Sequence, residues 1–249
     1  MTEPGPARGT LGTVRNAATL LELLSNGPAY QQLSDLAERS GLSLPTVHRL
    51  LRSLVAADLV EQDPVSSRYS LGPELVRLSE RYLDRLPLLQ QLRPYLVDLR
   101  NRTSVTVIVA LLVGDTVVHA ESIEGATPAG TVQRLARSSP AHHSAAGRLL
   151  LARAGPAAWK RYLDGGLDDP PSLSSLEAWS QAELLDGAVR GLRGQVEVAV
   201  PILRSNGSAA AALAAIGGPP TFSRDQLVEE VGPELQQMAA LGRRMVDGD

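Results

Sequence analysis

Residues 41 to 51 read GLSLPTVHRLL, and the side chains in and just beyond this stretch are suited to holding a polyanion. Wound as a helix, the segment sets Arg49, Arg52 and Ser53 on one side, with Thr46 and His48 on its flanks. Val47, Leu50, Leu51 and Leu54 recur at i, i+3, i+4 and i+7 and form the opposite, apolar stripe. No acidic residue lies between Arg39 and Asp58. An apolar face to seat the helix, and cations with hydrogen-bonding side chains opposite, suit contact with phosphates and base edges. Any amphipathic surface helix has a polar face, however, so the neighbouring elements must decide.

Those neighbours are short and well punctuated. Residues 1–10 hold Pro4, Gly5, Pro6 and Gly9 and read as a disordered lead-in. Val14, Ala17, Ala18, Leu21 and Leu24 share one face of a first helix, which Asn26-Gly27-Pro28 stops. LSDLAERSG is a second helix with Leu33, Leu36 and Ala37 inward and Gly41 at its end. Ser43 then caps the third helix, and Pro45 sits in its first turn, where a missing N–H costs nothing. LVEQDPVSSRYSL reads as two strands about an Asp63-Pro64, Ser66-Ser67 turn. Three helices and a hairpin over 11–72 outline a winged helix-turn-helix, with Arg68 placed where a wing reaches the DNA backbone.

Residues 73–86 open with Pro73 and read as a linker helix, and 87–249 as a second domain. There the pattern changes. SVTVIVALLV and DTVVHAES are β-branched runs joined by Gly114-Asp115, and QVEVAVPIL and AAAALAAIGG flank a tip at Asn206-Gly207. Helices follow from Ser144 and from Ser223, and Pro94 interrupts another. Hairpins alternating with helices imply an α+β fold with an antiparallel sheet.

Bulk composition excludes several classes. Hydrophobic residues are 43% and aromatics 3%, so the core is Leu, Val and Ala. A net charge of −3, and seven Arg against nine Asp or Glu in residues 1–80, leave no global basic field. DNA binding must rest on a local patch, and a dimer reading two half-sites is the expected remedy for weak monomer contacts. With no Cys there is no thiolate metal site. MTEPGPARGT lacks the apolar stretch of a signal peptide, and no apolar run approaches the roughly 20 residues that span a bilayer, so a cytoplasmic protein with no membrane contact is expected. His142, His143 and Ser144 are adjacent, but neighbours on an extended segment point to opposite faces and share a metal poorly. His119 lies within a strand and reads as a packing or edge residue, and Asp168-Asp169 as a solvated turn. Nothing assembles a nucleophile, base and oxyanion site, nor a phosphate loop, so no enzyme, cofactor or metal is expected.

The order of parts resembles the IclR family of bacterial transcription regulators over residues 11 to 246. The likeness rests on LSDLAERSGLSLPTVHRLLRSLVAADLVEQD with RYSLGPELVRLS, RPYLVDL, PAHHSAAGRLLLA and VAVPILRSNGSAAAAL, four motifs in the right order. It implies a winged helix-turn-helix, a linker helix and a GAF-like effector-binding domain. It further implies a repressor or activator on operator double-stranded DNA, the repressor being our reading. The family acts as a homodimer or homotetramer whose small-molecule effector alters the spacing of the DNA heads, with dimer contacts from linker helices and N-terminal domains.

Carried over residue by residue, the DNA site comprises Thr46, His48, Arg49, Arg52 and Arg68. Leu44 and Pro45 stand where the family usually has polar residues, so Leu44 would read apolar surface such as a thymine methyl. Asn16 replaces a common Arg, for which Arg15 substitutes. The effector pocket would be floored by His142, Ser144, Ala145, Ala146 and Gly147, where a helix N-terminus suits a ligand carboxylate. Its walls would be the last two strands, with Ala214 and Ile216 where small hydroxyl residues are usual. Glu197 points either into this pocket or into solvent. The acidic turn that usually precedes VAVP is missing. The pocket therefore suits a larger or more apolar effector than a small carboxylic acid, or none. A chain that kept the fold as an interaction protein, with degenerate DNA or ligand sites, is the rival reading.

Overall fold

A computed structural model describes residues 12–125, 136–165 and 169–247, so the expected lead-in over 1–10 and Asp168 lie outside the described residues. The chain forms two units, one up to Leu83 and one from Asp84 onward.

The first unit follows its punctuation. Helix α1 (Gly12–Ser25) is followed by α2 (Leu33–Ser40), which ends on Gly41 in the left-handed region at φ 67°. Only glycine takes that conformation without strain, and it turns the chain sharply into α3 (Leu44–Ala56). The expected stripe of Val47, Leu50, Leu51 and Leu54 is buried, against Leu20, Leu24, Leu36 and Ala37. Each fully buried leucine here contributes about 1.5–3 kcal/mol. Strands β1 (Val60–Gln62) and β2 (Tyr69–Leu71) pair antiparallel, Val60 opposite Leu71. Asp63 Oδ1 builds the wing turn by accepting the Val65 and Ser66 N–H groups at 2.9 and 2.6 Å, which holds its carboxyl below the ordinary carboxylate range. Gln31 adds an isolated antiparallel bridge to β2, exchanging backbone hydrogen bonds with Tyr69 at 2.9 Å in both directions. Helix α4 (Glu74–Asp84) follows and buries none of its residues.

The second unit is a six-stranded antiparallel sheet of order β5-β4-β3-β8-β7-β6. After α5 (Pro87–Thr103), which carries Pro94 inside it, come β3 (Thr106–Val113), β4 (Thr116–Ile123) and β5 (Ser138–Pro140). A 3₁₀ turn at Ala141–His143 leads into α6 (Ala145–Ala152), then α7 (Pro156–Leu163) and α8 (Leu173–Gln181). Strands β6 (Leu185–Ala188), β7 (Val196–Leu203) and β8 (Ala209–Gly217) complete the sheet. The chain closes through α9 (Arg224–Gln226), a π turn at Leu227–Val231 and α10 (Gly232–Asp247). Ser223 caps this segment in a reciprocal capping box with Gln226.

The inner strands β7 and β8 are buried on both faces, which is why they read as continuous apolar runs rather than alternating ones. Helix α6 covers one face, and α5 and α10 the other. Ala145, Ala146, Leu149 and Leu150 of α6 meet Ile108, Ala110, Ala199, Ala212, Ala214 and Ile216 of the sheet in one core. Alanine on both sides of this contact lets the start of α6 approach the strands closely. The edge strands β5 and β6 are short, which limits the unpaired backbone the sheet exposes.

Candidate DNA-binding face and effector pocket

In the first unit, α3 presents His48, Arg49, Arg52 and Ser53 to solvent. With Ala56 these side chains line an open groove of about 300 Å³. Among the described residues no ion pair ties Arg49, Arg52 or Arg68 to a carboxylate. Their charges are thus available to a polyanion. Leu44 stands at the start of α3 with 51% of its surface exposed, an apolar contact beside the cations. Ser43, expected to cap α3 through its side chain, instead places its hydroxyl 2.8 Å from Thr46 Oγ1 and accepts no helix N–H. That pairing fixes the Thr46 hydroxyl at the leading edge of the helix. Arg68 is exposed beside the wing turn and Arg15 is exposed on α1.

The second site is the N-terminus of α6, and its first N–H groups are all engaged within the chain. Glu197, on β7, is buried to 4% exposure. Its Oε2 accepts the Ala145 N–H at 2.7 Å and its Oε1 the Ala146 N–H at 3.4 Å. Ser144 Oγ accepts the Gly147 N–H at 3.0 Å, and the Ser144 carbonyl accepts the Arg148 N–H. Of the two orientations left open by the sequence, Glu197 takes the inward one. Burial pushes its carboxyl above the ordinary glutamate value, while the two helix N–H groups and Arg148 pull it back. Ile216 pairs with Glu197 on the neighbouring strand, and Ala214 with Ala199. The structure thus brings Ser144, Ala145, Ala146, Gly147, Glu197, Ala214 and Ile216 together.

His142 belongs to a second cluster. It is not on an extended segment, as expected, but in the 3₁₀ turn, because its backbone N–H donates to Tyr162 Oη at 3.1 Å. Tyr162 Oη also lies 2.6 Å from His142 Nδ1. The tight turn brings the two histidine rings edge to face at 4.1 Å rather than to opposite sides. His143 is half-buried and hydrogen-bonded to Arg190, and burial with the charges nearby lowers its pKa. Arg148 donates to the His142 carbonyl at 2.9 Å and stacks over Trp179 at 5.3 Å. Tyr162, Arg148, Trp179 and Arg190 carry no signal in the sequence beyond residue type.

Comparison with known proteins fits both units. Residues 13–64 match the IclR helix-turn-helix domain, and residues 80–169 the bacterial transcriptional regulator IclR C-terminal domain. The chain is 30% identical over 173 residues to the HTH-type transcriptional regulator XynR of Escherichia coli (strain K12), covering 68% of this chain and 69% of that one. The chain belongs to the IclR family of bacterial transcription regulators.

Like other IclR-family proteins it is a regulator rather than an enzyme. Its fold matches the crystal structure of an IclR transcriptional regulator from Alicyclobacillus acidocaldarius with a TM-score of 0.72 at 27% identity, over 95% of this chain and 99% of that one. An IclR homolog from Microbacterium hydrocarbonoxydans, solved complexed with 4-hydroxybenzoate, shares the fold with a TM-score of 0.64 at 24% identity, over 95% and 100% of the two chains. Among the described residues no helix is long and apolar enough to cross a membrane, and no group of three His, Asp or Glu is placed to hold a metal.

Proposed function

We propose that this IclR-family regulator is a cytoplasmic, effector-responsive repressor that reads operator DNA through Leu44, Thr46, His48, Arg49 and Arg52 of α3, with Arg15 and Arg68 on phosphates. The observation that carries the reading is the α3 face itself. It is cationic, exposed and joined to no carboxylate among the described residues, while its opposite stripe is fixed in the core. Two half-sites are read by a homodimer or homotetramer. Helix α4 supports this, because it buries nothing in the single chain and exposes Val76 at 61%, Leu78 at 46% and Tyr82 at 60%. Leu78 and Tyr82, four residues apart, share one helical face suited to a second copy. A small molecule bound beside the start of α6 alters the separation of the DNA heads.

The test is a salt series of binding to the DNA upstream of the protein's own gene, read by fluorescence anisotropy against a scrambled duplex. Preference for the upstream DNA with a steep salt dependence supports the reading. Equal and weak binding to both duplexes defeats it.

A further inference from the structure

The start of a helix of this kind, inside a binding domain, is where an anionic ligand would be held by exposed N–H groups. In this chain the place is taken. Glu197 reaches across from β7 with both carboxyl oxygens on the first two N–H groups of α6, and Ser144 occupies the third. Nothing in the strands opposes this reach. The residue paired with Glu197 on β6 is Gly187, which has no side chain, and on β8 it is Ile216. The surrounding face is Ala145, Ala146, Ala199, Ala214 and Ile216, all apolar, and among the described residues Arg148 is the one charged neighbour that acts on the carboxyl. A second carboxylate brought here would find no free donor on the first turn, and the Glu197 carboxyl already seated where its own oxygens would have to go.

We propose that Glu197 is the specificity residue of the effector pocket, a built-in occupant of the α6 N-terminus that bars carboxylate effectors and leaves the pocket to neutral, apolar ones. This rests on the reading of α6 as the effector site. It also means that this end of the domain is held together without a ligand, by a bond between β7 and α6 that other ligands must work around.

The atoms that Glu197→Ala removes, a methylene and a carboxylate, are those of acetate, which makes acetate the probe. Thermal melts of the full chain, wild type and E197A, are followed in sodium acetate and in sodium chloride at matched ionic strength, without DNA. The expected result is a saturable rise in the melting temperature of E197A with acetate over chloride, and none for the wild type. An equal rise in both proteins, or none in a folded E197A, overturns the proposal.

Should E197A not fold, the amide resonances of Ala145 and Ala146 are followed through a pH titration of the wild type and of E197Q. A shared titration step present in the wild type and absent in E197Q supports the assignment, and identical curves overturn it. Neither measurement involves DNA, so a failure of the regulator reading would appear in the operator titration and not here.

Discussion

Gln31 Oε1 accepts a hydrogen bond from Arg39 Nη1 at 2.6 Å, while the Gln31 amide nitrogen reaches the Leu23, Leu24 and Pro28 carbonyls at 3.1–3.2 Å. One buried side chain, 4% exposed, thus joins the end of α1 to α2, and its own backbone holds β2 of the wing. Two of these carbonyls, Leu23 and Leu24, belong to the last turn of α1, which has no partners within the helix, and the third, Pro28, lies just beyond it. Gln31→Leu leaves these groups buried and unsatisfied and should cost about 1–3 kcal/mol. Arg39→Ala removes one part-buried bond and leaves the three carbonyl contacts of Gln31 in place, so it should cost less. Urea denaturation of the two variants gives the ranking directly, and equal costs would show that Gln31 is not the joint.

Gly147 is placed by sterics. A Cβ there would lie 2.2 Å from the Ala141 carbonyl oxygen, a backbone atom of the turn that leads into α6. Neither the turn, tied to Tyr162, nor the helix, tied to Glu197, can move aside at low cost. Gly147→Ala should therefore lower stability by about 1–3 kcal/mol or more through overpacking. The same substitution at Gly12, where a Cβ meets nothing within 4 Å, should leave the melting temperature unchanged or slightly raised. Differential scanning calorimetry of both variants tests the contrast.

The raised pKa of Glu197 has a definite consequence for stability. An acid whose folded pKa lies above its unfolded value binds more protons folded than unfolded within that interval. Its contribution is fully present below the ordinary glutamate value and is lost as pH rises through the folded one. Glu197→Gln has no proton to lose and keeps an oxygen for the Ala145 N–H. The stability of the wild type relative to E197Q should thus decline from about pH 4 upward and level off above the raised value. Arg148, the charged group that acts on this carboxyl from α6, is present in both proteins and so is common to the comparison. Urea midpoints of both proteins at stepped pH check this, and a wild type that gained stability relative to E197Q as pH rose would reverse the assigned shift.

Much of the architecture is legible in the sequence because it depends on local chemistry. The α3 stripe, the Gly41 turn, the Ser223 cap and the Asn206-Gly207 tip are each set by residues within one turn of chain. The exposed cations of α3 are legible for the same reason, since a stripe that must be buried leaves the other face outside. The α6 site is different. Glu197 lies 52 residues from Ala145, and its inward pose depends on the register of β7 against Ile216 and on a glycine opposite it. Neither is written in any short window. Gln31 and Tyr162 were likewise unmarked, because a polar side chain that satisfies distant backbone groups carries no period. Ser43 marks the opposite failure: its position at the start of α3 is right, but its hydroxyl pairs with Thr46 rather than with the helix backbone.

The α3 cations lend themselves to a count. Each phosphate neutralised on duplex DNA contributes about 0.9 to the slope of log affinity against log salt. If Arg49 and Arg52 both lie on phosphates, Arg49→Ala with Arg52→Ala should flatten that slope by about 2 and weaken upstream and scrambled duplexes alike. If one of them instead holds a guanine edge, its removal should cost about 1–3 kcal/mol on the upstream DNA and little on the scrambled duplex, so the preference itself falls. Both side chains are exposed on a helix whose buried stripe is untouched by the change, so the variant should fold with an unaltered melting temperature. An unchanged slope in a folded double variant would place the DNA contact elsewhere on the first unit, with Arg15 and Arg68 the next residues to remove.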